Sequence, residues 1–185
     1  MSIRADTRDQ ILQAALASGT YGGRWVFGDI DQSEISVETR AEWTFSPTLT
    51  LQLWAQPFVA SGRFARYKEF TTPGKFDFDV YGRDRGYFSK NGQVAGRPIV
   101  IDPDGAGPAP AFSLAEQDFL VRSLRGNAVL RWEYRPGSTL FLVWQQQRQG
   151  GADYADLSAT RDVFSPLRDP ARNVFLLKLS YWLGK

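Results

Sequence analysis

The chain has 185 residues, enough for one domain with a core of its own. Its 22 basic and 20 acidic side chains leave a net charge of +2 with no basic block or stripe, so nucleic acid is not an expected partner. Cysteine and histidine are both absent, which removes disulfides, thiol catalysis, histidine acid–base chemistry and most zinc or copper sites.

Residues 1–19 read as a helical or irregular segment. A short helix is expected over 6–17, capped by Asp6 or Thr7, with Ile11, Leu12, Ala15 and Leu16 as its apolar stripe and Gly19, Gly22 and Gly23 beyond it. From residue 20 to 185 the pattern is strand and loop. Residues 20–29 place Tyr21, Trp25 and Phe27 on one parity. Residues 33–45 alternate cleanly, with Ile35, Val37, Thr39, Ala41, Trp43 and Phe45 opposite Glu34, Ser36, Glu38, Arg40, Glu42 and Thr44. Period-two alternation specifies a strand, not a helix. A three-residue loop at 46–48 then pairs Phe45 with Leu49, and the return strand 49–58 keeps Leu49, Leu51, Leu53 and Ala55 on the oily face.

Weaker strands are expected at 63–70 and 76–82 around a short turn at 71–75, followed by a long loop at 83–117. A second hairpin repeats the first 89 positions later: Trp132 and Tyr134 stand where Trp43 and Phe45 stood, and Pro136 where Pro47 stood. Its loop, 135–137, pairs Tyr134 with Ser138, so that Leu124, Ala128, Leu130, Trp132, Leu140, Leu142 and Trp144 share a face. A second long loop is expected at 149–172, and a last strand at 173–184 with Phe175, Leu177, Leu179, Tyr181 and Leu183 on one parity.

The fold class is therefore all-β, an antiparallel up-and-down sheet of about eight strands. If strands alternate in direction, the turns at 46–48, 71–75 and 135–137 fall on one side and both long loops on the other. Outer-membrane barrels have that asymmetry. The aromatics Trp43, Phe45, Trp132, Tyr134, Tyr181 and Trp182 cluster toward the short-turn side, where a membrane–water interface favours an apolar ring with a polar tip. Eleven residues of strand at roughly 3.4 Å each, tilted by about 45°, rise on the order of 25 Å, the height of an outer-membrane apolar band. Residues 35–45 supply that stretch with no charge on the oily face. No run of 18 apolar residues exists, so no membrane-spanning helix is expected. Alternation alone fits equally a soluble, ligand-binding sandwich or barrel of carbohydrate-binding type, with its oily face turned inward.

In a membrane barrel the opposite parity would line the lumen: Glu38, Arg40, Glu42, Gln52, Gln56, Arg125, Asn127, Arg131, Glu133 and Lys178. Its mixed signs favour a structural network, with a path for a saccharide or small solute as the sharper alternative.

The run Ser123–Gln146, with Phe76–Gly82, Asp102–Pro108 and Asn173–Leu183, resembles the C-terminal portion of the bacterial domain-of-unknown-function family 5916. The resemblance spans roughly residues 20–185. It implies an outer-membrane β-barrel, exported as part of a longer precursor whose N-terminal part carries a carbohydrate-binding-like sandwich. This chain lacks the signal, that sandwich and the earlier barrel strands, and so reads as a C-terminal fragment. The resemblance implies outer-membrane lipid and the missing N-terminal part of the same protein as partners, and no activity for particular residues.

No catalytic constellation is recognisable, and no cofactor is expected. Asp102 and Asp104, in an Asp-Pro-Asp-Gly segment, offer oxygen ligands to calcium but lack the closing Glu of an EF-hand loop, so a plain turn is the stronger reading. Asp77 and Asp79 on one strand parity, with Glu69 nearby, are a carboxylate grouping of the kind a hydrolase uses, a third reading that Asp102 would also join.

Overall fold

A computed structural model describes residues 2–14, 24–72, 74–90, 98–152 and 155–184, with side chains from residue 24 onward. The described residues are mostly β-structure, in antiparallel sheets. The strands are β1 (Ser2–Ala14), β2 (Arg24–Ser36), β3 (Thr39–Ser46), β4 (Leu49–Phe70), β5 (Phe78–Val80), β6 (Tyr87–Ser89), β7 (Ile99–Asp102), β8 (Phe112–Leu114), β9 (Phe119–Arg135), β10 (Ser138–Ala152) and β11 (Ala171–Ser180). One helix, α1 (Ala159–Asp162), and a 3-10 turn (Ser165–Arg168) precede β11. The main sheet has eight strands in the order β1-β2-β4-β9-β10-β11, with β3 and β5 also paired to β4; β6-β7-β8 form a second sheet.

The first expectation to fail is the helix over 6–17. Ser2–Ala14 is a strand, paired from Ser2↔Ser36 to Ala14↔Arg24. A helix this short is marginal in water, whereas the β2 edge supplies a partner for every backbone group on one side. Residues 15–19, the rest of the expected N-terminal segment, and Tyr21 lie outside the described residues.

β2 and β3 are one strand interrupted at a single point. Ile35 pairs with Val59 and Thr39 with Ala55, so both halves keep the same register against β4. The interruption falls opposite Pro57, where the Val37 amide donates to the Pro57 carbonyl at 3.1 Å. Proline has no N–H to return, so one ladder bond is missing and regular pairing lapses there.

The strands expected separately at 49–58 and 63–70 are a single 22-residue strand, β4. Gly62 does not break it: a Cβ there would stand 2.4 Å from the Phe119 ring, so glycine serves a close approach across the sheet. Arg66 takes a positive φ of 47° near the register shift between Phe27 and Asp29, and this bulge bends the strand without ending it. Because β4 continues to Phe70, the turn at 71–75 lies at the end carrying the long connections, not beside the tight turns as expected. The two tight turns and the end of β11 still share the opposite end.

Both hairpins follow the expected register, with Trp43↔Leu51 in one and Trp132↔Leu140 in the other. The last pairs differ: Ser46 faces Leu49 and Arg135 faces Ser138, which leaves Phe45 and Tyr134 as the extra residues of matching bulges. The likeness stops at the loop backbone, since Gly137 has a φ of 76° while Thr48 has no positive φ.

The loop expected at 83–117 contains β6, β7 and β8. Their Ile99, Ile101 and Leu114 pack with Val26, Ile30, Phe64, Tyr67 and Tyr81 to form the buried core. The core thus lies at the long-loop end, between the small sheet and the face of β2 and β4 that carries Ile30 and Phe64. The segment expected as loop from 149 keeps strand structure to Ala152, and the last strand runs 171–180, not 173–184.

Candidate functional site

The register carries the oily parity across five strands. One row reads Trp43, Leu51, Leu130, Leu142, Leu177; the next reads Ala41, Leu53, Ala128, Trp144, Phe175; a third joins Leu49, Trp132, Leu140 and Leu179. Pairing order alone fixes this, because a strand's side chains change face every residue. None of Val37, Leu51, Leu130 and Leu179 is buried. Exposure rises toward β11, where Leu177 is 69 % and Leu179 63 % exposed, and Trp43 on β3 is 49 % exposed. Contiguous exposed apolar patches larger than a few hundred Å² mark interaction surfaces, so this face is the candidate site.

This face is bounded at both ends. At the tight-turn end stand Trp43, Phe45, Trp132, Tyr134, Tyr181 and Trp182, so the structure brings all six expected aromatics to one margin. All but the half-buried Tyr134 are exposed. The Trp182 amide donates to Ser138 Oγ at 3.0 Å, and Arg135 donates to the Tyr181 hydroxyl at 3.1 Å. At the other margin Trp144 stacks on Phe175 with centroids 6.4 Å apart and donates from Nε1 to Asn173 Oδ1 at 3.0 Å. Sequence reading missed this second margin, although a Trp beside Gln145 and Gln146 marks where the face turns polar.

Beyond that margin the same parity is covered, not exposed. Ile35, Val59 and Leu120 are buried. The 155–169 segment lies over this region: Arg63 donates to the Ala155 carbonyl at 2.9 Å, and Arg122 and Arg148 hold Asp169 and its backbone. Ile35 was expected on the exposed oily face, and here it differs.

The opposite face gathers the expected polar set. Arg40 shares a rung with Trp54, Asn127 and Gln145; Glu42 with Gln52; Gln56 with Arg125 and Gln147; Arg131 with Lys178 through Phe141. Glu133 takes the Gly137 amide at 3.0 Å and Arg131 at 3.6 Å. Glu38 accepts from Arg40 at 2.8 Å and from Trp54 Nε1 at 3.0 Å. Val129, Phe141, Val143 and Leu176 interrupt this face, so it is less polar than the charged residues alone suggest. Two grooves open on it. One, of about 580 Å³, is lined by Arg40, Glu42, Gln52, Trp54 and Asn127 among others; the second, of about 320 Å³, by Trp54, Arg125, Asn127, Gln147 and Arg172 among others.

The carboxylates considered for catalysis are engaged at the long-loop end. Glu69 accepts from Arg24 at 3.1 Å, from Arg85 at 2.6 Å and from the Tyr81 hydroxyl at 2.6 Å. Burial first, and then the Glu69 bond, push that phenol well above its usual range. Asp79 accepts from Thr71 Oγ1 at 3.2 Å and lies 3.7 Å from Arg85, while Asp77 is exposed. Asp102 Oδ1 caps the amides of Asp104 and Gly105, and Asp104 Oδ2 caps that of Ala109, which is turn chemistry. No grouping of three or more potential metal ligands occurs among the described residues. No described helix is long and apolar enough to cross a membrane, a finding that concerns helices alone. Comparison with protein-family models, curated proteins and solved structures returns no match.

Proposed function

We propose that this chain is the C-terminal segment of a bacterial outer-membrane β-barrel protein, with its apolar face against lipid and its polar face toward the lumen, serving transport or binding at the envelope surface. The observation that carries the reading is the apolar row Trp43–Leu51–Leu130–Leu142–Leu177, continuous over five strands with none of its side chains buried. On β9 the stretch from Trp132 to Leu124 is nine residues, about 27 Å along the strand and roughly 20 Å in height at a tilt of about 45°. That suits an outer membrane, which is thinner than the average bilayer. The aromatic margin at the tight-turn end, and the tight turns gathered there, support the same reading, as does the resemblance to family 5916.

The test is refolding of the full chain in detergent micelles, alone and together with the N-terminal part of its precursor. Heat-modifiable migration on gels and protection of β3, β4, β9 and β10 from protease when refolded into vesicles are expected. A monomer that stays folded in buffer without detergent would overturn the reading in favour of a soluble ligand-binding barrel or sandwich.

A further inference from the structure

We infer that the polar face holds an acidic saccharide, with a sugar ring against Trp54 and its carboxylate between Arg125 and Arg172. The inference rests on the reading above only in requiring this face to be wet.

The Trp54 indole is a wall common to both grooves, which together have the dimensions of a small-ligand site. Its Nε1–H is held by Glu38 at 3.0 Å, so the ring is fixed before a ligand arrives. A fixed aromatic face beside planar amides is the chemistry that recognises sugars: C–H groups lie on the ring, and vicinal hydroxyls bridge amide donors and acceptors. Here Asn127 and Gln145 share the rung of Trp54, with Gln147 on the next. Asn127 Oδ1 is buried in the groove floor with no partner among the described residues, so this amide gains a bond when it turns to meet a hydroxyl.

Charge selects among saccharides. Arg125, Gln147 and Arg172 form one rung over β9, β10 and β11. Adjacent strands lie about 4.8 Å apart, so the two arginines stand roughly 10 Å apart with an amide between them. Neither makes an ion pair among the described residues, whereas Arg40 on the other side of Trp54 is held by Glu38. Two unneutralised guanidiniums flanking a sugar platform match the carboxylates of a uronic-acid chain, since the guanidinium fork fits a carboxylate.

The test is calorimetric titration of the refolded full chain with a galacturonic acid tetramer, a neutral glucose tetramer and polyglutamate. The acidic tetramer is expected to bind best, with affinity falling as salt rises. Trp54→Ala should weaken it about tenfold or more, the scale of a lost binding anchor. Trp54→Phe, which keeps a ring but not the Glu38 bond, should fall between. The double variant Arg125→Gln, Arg172→Gln should bring the acidic tetramer down to the neutral one. Circular dichroism and heat-modifiable migration establish that each variant is folded. Absence of binding to either tetramer, equal binding of polyglutamate, or unchanged affinity in folded Trp54→Ala protein would overturn the inference. A chain that proves soluble without detergent yet binds the acidic tetramer would refute the membrane reading and leave this one standing.

Discussion

Arg122 grips Asp169 through two hydrogen bonds of 2.7 Å each, one from Nε and one from Nη2. The pair ties the polypeptide leading into β11 down onto β9, with 8 % of the Asp169 side chain exposed. The Arg122 bonds hold the carboxyl below the ordinary carboxylate range, against the opposing effect of burial. Its folded pKa is therefore depressed, so its contribution is complete above the unfolded value of about 3.9 and is lost as pH falls through the folded value. Asp169→Asn should cost about 1–3 kcal/mol near neutral pH. Denaturant titrations at pH 7 and at pH 3 should show the variant and the native chain converging in acid.

Glycine beneath that carboxylate is a requirement of the same contact. A Cβ on Gly150 would lie 2.5 Å from the Asp169 carboxyl atoms. Gly150→Ala should displace the 155–169 segment and open the Arg122 clasp, and limited proteolysis between residues 155 and 169 should quicken. Gly151→Ala meets a backbone oxygen at 3.1 Å and should do less.

The long-loop end offers a second packing test. Gly62→Ala would press on the Phe119 ring at 2.4 Å and reach Ile30 at 3.0 Å. Overpacking of this kind costs about 1–3 kcal/mol. The thermal midpoint should drop, and the drop should shrink when Phe119→Leu is added, since the smaller side chain removes the obstacle.

What sequence alone conveyed depended on how far a pattern ran. The alternation over 33–45 fixed a strand, and it put Trp43 opposite Leu51 and Trp132 opposite Leu140, although the expected closing pairs Phe45–Leu49 and Tyr134–Ser138 give way to bulges. From there the parity of each paired residue followed across β3, β4, β9, β10 and β11, though Ile35 on the oily parity is buried. Breaks were misjudged because a break is a tertiary property. The strands expected at 49–58 and 63–70 are continuous, and Gly62 between them is glycine because Phe119 crosses there. Val37 looked like the middle of a strand, yet Pro57 across the sheet denies it a bond. Ile99 and Ile101 did alternate, but only over four residues set among Gly, Pro and Asp, too short a run to distinguish β7 from loop. Arg125 and Arg172 could not be joined from sequence, since 46 residues separate two positions that the β9-β10-β11 register puts on one rung.

Pro57 can be tested at the point where it acts. Pro57→Ala supplies an N–H facing the Val37 carbonyl, so the ladder between β2 and β3 should close. A net hydrogen bond is worth about 0.5–1.5 kcal/mol, and the freed unfolded chain takes back about 0.4–1 kcal/mol, so stability should stay nearly level. Hydrogen exchange should change more clearly, with slower exchange at Val37, whose amide already bonds the residue 57 carbonyl, and a protected new amide at residue 57. Unaltered exchange would mean that something besides the missing donor parts β2 from β3.

The two faces should answer oppositely to the same charge. Leu142 lies mid-row on the oily parity of β10, flanked by Leu130 and Leu177. Against lipid, Leu142→Arg should cost about 1–3 kcal/mol, between the penalty for a cation at the bilayer middle and that near the interface. Against water, an exposed leucine replaced by arginine should shift stability by less than about 0.5 kcal/mol. Gln52→Arg, on the polar face beside Glu42, should be tolerated in either setting, because its partner already accepts from Gln52 at 3.4 Å. Folding yield into vesicles of short-chain lipid, measured for both variants, therefore reads the environment of each face directly. A large loss for Leu142→Arg with none for Gln52→Arg is the expected pair. Equal yields would place water, not lipid, over the row that runs from Trp43 to Leu177.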